Sequence, residues 1–289
     1  MATPRAGSIE AATRTLLPQG FHALSFGNPS APPLLWLHGF PDHPPTAVDV
    51  LERLGRTHRV VAPWLRGYAP SPLAGELDLQ SLANDVLAMI EAIGGPVDLV
   101  GHDWGAAIVY AVCALRPDRV RRAATLALPH PLSFLHSLRS PAQLRRSWYM
   151  GLFQLPNAER FVRANDLALI DRLWRAWSPG YALPDERRRE LHACLAASLP
   201  APLGYYRAMV RPLRDLRTRT RRLAAPIATP LLQLHGADDG CVLPPHGASA
   251  AFDARRFTAR TLEIIPNTGH FLHLEQPDTV GARLAGWLT

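Results

Sequence analysis

The chain has 289 residues, 47% of them hydrophobic and 19% charged, which suits one sizeable globular domain or a core carrying one inserted subdomain. Its net charge is +7, and every basic side chain apart from histidine is Arg, since the sequence contains no Lys. No run approaches the roughly eighteen continuous apolar residues of a membrane span, residues 1–20 lack a basic start followed by an apolar run, and Cys113, Cys194 and Cys241 are scattered without the spacing of a disulfide framework or a zinc site.

A cytoplasmic protein is therefore the expectation. Two arginine clusters, Arg187-Arg188-Arg189 and the run at 217–222, are where an anionic partner would bind. Asp185, Glu186, Glu190 and Asp215 are interspersed with them, so both read as solvated helix faces rather than as a nucleic-acid or membrane surface.

Along the chain, short apolar runs alternate with longer stretches of helical spacing, the pattern of βαβ units and a largely parallel sheet. A first strand is expected at 21–26. Leu34-Leu35-Trp36-Leu37 reads as a buried strand ending at His38-Gly39, and Arg59-Val60-Val61-Ala62 as another, ended by Pro63. Leu82, Val86, Leu87 and Ile90 recur at helical spacing over 79–93, with Gly94-Gly95 as the stop. Val97-Asp98-Leu99-Val100 is a strand that runs into Gly101-His102-Asp103-Trp104-Gly105, and 106–115 is an apolar helix stopped by Pro117. A strand at 122–128 is closed by Pro129. From about residue 131 to 215 the rhythm changes to helical patterns rich in Trp, Arg and Leu, such as 166–177 and 185–197. An all-helical insertion at 131–215, between core segments 1–130 and 216–289, is expected over the carboxyl ends of the strands, where open α/β sheets bind ligands. Strands at 230–234 and 262–265 and a helix at 276–288 complete the core.

Gly101-His102-Asp103-Trp104-Gly105, set between a strand and a helix, has the glycine spacing of a nucleophile elbow. The helix that follows turns its N-terminal N–H groups toward the site and favours negative charge there. The elbow position holds Asp103 where Ser is the commoner occupant. A serine attacking saturated carbon would leave an ether. A carboxylate leaves an ester, which water can cleave at its carbonyl. Asp103 therefore points to displacement at a carbon bearing an epoxide oxygen or a halide.

His38-Gly39-Phe40-Pro41, at the end of an earlier strand, is placed to supply half of an oxyanion hole through the Phe40 N–H, with the Trp104 N–H as the other half. Asp238 and Asp239 end a late strand, and His270 follows the last one, giving the order nucleophile, acid, base. Asp239 is favoured to hold the His270 tautomer, with Asp238 a solvated loop residue. Because Asp103 is already ionised, His270 is expected to act as base on water in a second step. His130, His235, His246 and His273 read as packing or loop residues, His38 and His102 as local hydrogen-bonding groups, and Asp98 as one end of a hydrogen bond.

With HGFPD (38–42), GHDWG (101–105), HGADDG (235–240) and GHFLHLEQP (269–277) in place, the sequence resembles the epoxide hydrolase group of the α/β-hydrolase superfamily, the Asp-nucleophile branch that also holds the haloalkane dehalogenases. The resemblance runs over nearly the whole chain. It implies an α/β-hydrolase fold, a mostly parallel sheet flanked by helices, with 131–215 as a helical cap and a cis peptide before Pro41. It further implies two cap tyrosines that hydrogen-bond the epoxide oxygen and protonate it as it leaves. Tyr206, in Leu203-Gly204-Tyr205-Tyr206-Arg207, stands at the matching place for one. The other belongs just before a Phe-Gln pair, but Leu152 precedes Phe153-Gln154 here; Tyr149, nearly one helical turn earlier, can reach the same space. Tyr206 with Tyr149, Tyr206 alone, or a different acid stay open.

The implied reaction is hydrolysis of a small apolar epoxide to a vicinal diol through an ester on Asp103, by a monomer or homodimer that needs no cofactor, metal, nucleic acid or membrane. Trp148, Phe153, Trp174 and Trp177 are cap aromatics that either line such a pocket or pack the cap. The nearest alternative is a haloalkane dehalogenase using the same triad, with Trp104 on the halide; Phe40 and Tyr206 tilt the expectation to an epoxide. A further alternative is a ligand-binding protein that keeps the fold without turnover.

Overall fold

The computed structural model describes residues 12–210 and 225–289. The arginine run at 217–222 and the end of the expected cap, 211–215, lie outside the described residues.

Eight strands form one sheet: β1 (Thr13–Leu17), β2 (Phe21–Phe26), β3 (Pro33–Leu37), β4 (Arg59–Pro63), β5 (Val97–His102), β6 (Val120–Leu126), β7 (Leu231–Gly236) and β8 (Arg260–Ile265), in the spatial order β1-β2-β4-β3-β5-β6-β7-β8. β1 and β2 pair antiparallel with their neighbours, and β3 to β8 are parallel. Every residue of β5 and β7 is buried, as a parallel sheet covered on both faces requires. Helices α1 (Val48–Leu54), α2 (Leu79–Ile93) and α3 (Trp104–Leu115) lie in the first half of the core. The α2 boundaries follow local chemistry: the Asp78 carboxylate caps the N–H groups of Gln80 and Ser81, and Gly94 closes the helix in the left-handed conformation.

The edge strand β1 was not expected, because its residues are mostly exposed and mixed in character, with no apolar run to mark them. β6 ends at Leu126, earlier than its apolar run suggests, because Ala127 takes a φ of 62° and turns the chain out of the sheet.

Between β6 and β7 the described residues hold no strand, only helices: α4 (Pro131–Ser137), α5 (Pro141–Arg146), α6 (Trp148–Leu152), α7 (Ala158–Trp177), α8 (Asp185–Ser198) and α9 (Leu203–Val210). α7 is broken at 164–167, where Asn165, Asp166 and Leu167 all have positive φ, so its second half starts where the sequence pattern begins. This insertion is tied to the core. Trp174 Nε1–H donates to the Pro41 carbonyl at 3.1 Å, the Phe271 N–H donates to Ser178 Oγ at 2.9 Å, and the Ala69 N–H to Ser198 Oγ at 2.8 Å. The expectation for Arg187 needs correcting here: it is no solvated residue but donates to Asp49 at 2.7 Å and to the Thr46 carbonyl at 3.2 Å, clamping α8 to the core. α10 (Gly247–Ala254), α11 (Leu272–Glu275) and α12 (Pro277–Leu288) complete the chain.

β5 carries the elbow and sits mid-sheet, so its packing supports the site directly. Truncating the buried Leu99 to Ala should cost about 3 kcal/mol, read as a fall in the urea midpoint at unchanged slope. A cost below about 1 kcal/mol would mean that β5 is not held by its packing.

Candidate active site

β5 ends at His102 and α3 begins at Trp104, so Asp103 alone makes the turn. Its φ of 52° lies in the left-handed region, a strained state for a residue other than glycine and the mark of an elbow. The crossing is tight enough to require its glycines: a Cβ on Gly101 would collide with the Gly105 carbonyl, and one on Gly105 with the Leu37 carbonyl. The Asp103 carboxylate thus stands at the carboxyl end of β5 and the N-terminus of α3. Its Oδ1 accepts the Phe40 N–H at 2.8 Å. The Phe40–Pro41 peptide is cis, as the family pattern implies. Its Oδ2 faces His270 Nε2 at 3.5 Å.

His270, in the loop after β8, is fixed on both sides of its peptide. Its N–H donates to the Trp177 carbonyl at 3.0 Å, and its carbonyl accepts His102 Nε2–H at 3.0 Å. Its Nδ1–H donates to Asp239 Oδ2 at 3.0 Å. Asp239 is buried, and its Oδ1 accepts the N–H groups of Cys241 at 2.7 Å and Val242 at 2.9 Å. Asp238 is exposed, as expected. Burial opposes charge on both members of this pair. Even so, His270 and His235 hold the Asp239 carboxyl well below the usual carboxylate range, and Asp239 and Asp103 raise His270 to about 10.

His235, expected among the packing or loop residues, lies instead at the triad: its Nε2 is 3.1 Å from Asp239 Oδ2 and 3.0 Å from the Val242 carbonyl. It meets the same Asp239 oxygen that accepts the His270 Nδ1–H. The signal was present in the spacing, a histidine four residues before an aspartate at a strand end. His130 and His246 cap the N-termini of α4 and α10. His273 packs as expected, its buried ring 5.4 Å from that of Trp36 and 4.5 Å from that of His102. Asp98 accepts from Arg121 at 2.6 Å.

Above Asp103 the insertion contributes an aromatic box. Tyr206 packs edge-on against Phe40, Trp104, Phe153 and Tyr149, with ring centroids 5.4, 5.2, 5.1 and 5.7 Å away. Tyr149 also touches Trp177, which packs on His270. Both phenols are buried, and burial together with the nearby Asp103 charge keeps them well above the usual tyrosine pKa, hence protonated. Of the four cap aromatics singled out in the sequence, Phe153, Trp174 and Trp177 are buried, with Trp174 stacked on Phe271 at 3.6 Å. Trp148 is the exception, 45% exposed beneath Arg172: Tyr149 turns inward, so its neighbour on α6 faces outward.

Residues 34–283 match the alpha/beta hydrolase family, and the chain belongs to it. Within that family its relatives include mouse epoxide hydrolase 3, 30% identical over 272 residues, 89% of this chain and 70% of that protein. Mouse epoxide hydrolase 4 is 27% identical over 283 residues, 93% of this chain and 76% of that protein. A solved structure of epoxide hydrolases from metagenomes of hot environments is similar with a TM-score of 0.79 and 27% identity, covering 96% of this chain and 98% of that one. Bacillus megaterium epoxide hydrolase in complex with an inhibitor shares the fold at a TM-score of 0.81 and 22% identity, over 96% and 99% of the two chains. No described helix is long and apolar enough to cross a membrane.

Proposed function

We propose that the protein hydrolyses small apolar epoxides to vicinal diols through an ester on Asp103. The observation that carries this reading is the carboxylate itself: Oδ1 on the Phe40 N–H, Oδ2 toward His270, and two protonated phenols in the box above.

In the first step Asp103 Oδ2 attacks a ring carbon, the carbon–oxygen bond breaks, and the ring oxygen takes a proton from Tyr206 or Tyr149. Asp103 is then a neutral ester, so His270 loses one of its two carboxylate partners and returns a proton to the tyrosinate. The neutral imidazole next removes a proton from water as its oxygen adds to the ester carbonyl. The oxyanion that forms is the former Oδ1, held by the Phe40 N–H and by the Trp104 N–H at the head of α3. Collapse releases the diol, whose oxygen takes the proton of the new carboxyl group, and restores charged Asp103 and His270. Asp239 orients His270 throughout. Residues 131–215 serve as a cap that keeps bulk water out and shapes the substrate.

Intact mass of His270→Gln after incubation with an aryl epoxide, and separately with a bromoalkane, tests the reading. The second step should stall, adding the full mass of the epoxide, with no adduct in Asp103→Asn. An adduct with the bromoalkane alone would make the reaction a dehalogenation. No adduct with either would leave a narrow substrate range or a non-catalytic binder, which a wider ligand screen separates.

A further inference from the structure

Cys241 faces the same space as the proposed proton donors, and none of the steps above uses it. It follows Asp239 by two residues, is buried, and donates its N–H to Asp239 Oδ1. Its Sγ lies 3.4 Å from the Tyr149 hydroxyl, within hydrogen-bonding reach for sulfur. Tyr206 differs: its hydroxyl is equally buried, yet it has no hydrogen-bond partner of good geometry among the described residues. Tyr149 therefore has a well-placed partner in Cys241, whereas among the described residues the Tyr206 hydroxyl has only Trp104 and Tyr149 near it. Tyr149 is also the one that enters from an unusual place, one turn of α6 before Phe153, with Leu152 where the family pattern has tyrosine.

We propose that Cys241 is a positioning residue for Tyr149, its S–H donating to the phenol oxygen so that the phenol O–H points at the departing epoxide oxygen above Asp103. The proposal rests on the epoxide reading. Burial, with the Asp239 and Asp103 carboxylates nearby, pushes the thiol well above its usual range, so it stays protonated and able to donate. A donor on the phenol oxygen stabilises the negative charge that oxygen gathers as its proton moves to substrate. It has no such effect on the later attack of water, where His270 and the oxyanion donors act.

The test separates the two half-reactions in the full chain. In Cys241→Ala, ester formation followed by rapid quench and mass should slow about fivefold, the worth of one neutral hydrogen bond, while ester hydrolysis stays within about twofold. Cys241→Ser should recover most of the loss, and Tyr149→Phe/Cys241→Ala should be no slower than Tyr149→Phe. Equal slowing of both steps, or additive losses in the double variant, overturns the proposal. A second readout needs no turnover: the infrared S–H stretch that disappears in Cys241→Ala should move to higher frequency in Tyr149→Phe, and an unmoved band also overturns it. If the wild-type chain forms no ester with any epoxide, the epoxide reading fails, and the infrared band still decides whether Cys241 holds Tyr149.

Discussion

Asp103→Asn should fold and melt like the wild-type chain while losing epoxide turnover by on the order of 10⁴ or more, as removal of a covalent nucleophile does. The two halves of this expectation have different causes. The elbow imposes a φ of 52° and a ψ of −116° on residue 103, a strained pair that Asn, of the same shape as Asp, meets at the same cost. Its amide oxygen can still accept the Phe40 N–H that Oδ1 accepts now. What it lacks is the charge and the free lone pairs of Oδ2, the oxygen facing His270. Circular dichroism melts and initial rates on the same preparation separate folding from chemistry. Turnover within tenfold of wild type would take Asp103 out of the reaction. Asp103→Val is the informative contrast, because a β-branched residue at positive φ should cost stability as well.

The parts of the site that could be read from sequence are those fixed by backbone geometry. A glycine-flanked residue between a strand and a helix must make a sharp turn, so Asp103 and its neighbour Trp104 could be placed without coordinates. HGFP and the histidine after the last strand are also short-range patterns, and Phe40 and His270 lie where they imply. Asp239 over Asp238 was a preference until burial separated them: adjacent residues at a strand end point in opposite directions, and only the fold says which is inside. Tyr149 was legible only as a residue within helical reach of an empty position. Cys241 was not legible at all, because its contact joins residues 92 apart in sequence, across the insertion. The break in α7 at Asn165, Asp166 and Leu167 and the early end of β6 at Ala127 are backbone choices without a glycine or proline to announce them.

The two half-reactions should respond differently to pH, because His270 has different neighbours in each. In the resting protein, burial disfavours the imidazolium, but Asp239 and Asp103 outweigh it and raise the pKa to about 10. A folded pKa above the unfolded 6.5 means that the charged ring adds stability below that value, and the contribution is lost as pH rises through about 10. Ester formation discharges Asp103 and leaves Asp239 as the single carboxylate partner, so the His270 pKa should fall by about one to three units. Water attack needs the neutral ring, so ester hydrolysis should rise with pH and level off below about 10, whereas ester formation should show no such rise. Asp103→Asn reproduces the discharged state without substrate. Histidine NMR titrations of that variant and of wild type should show His270 letting go of its proton earlier in Asp103→Asn. The same pKa in both would mean that the Asp103 charge does not govern His270.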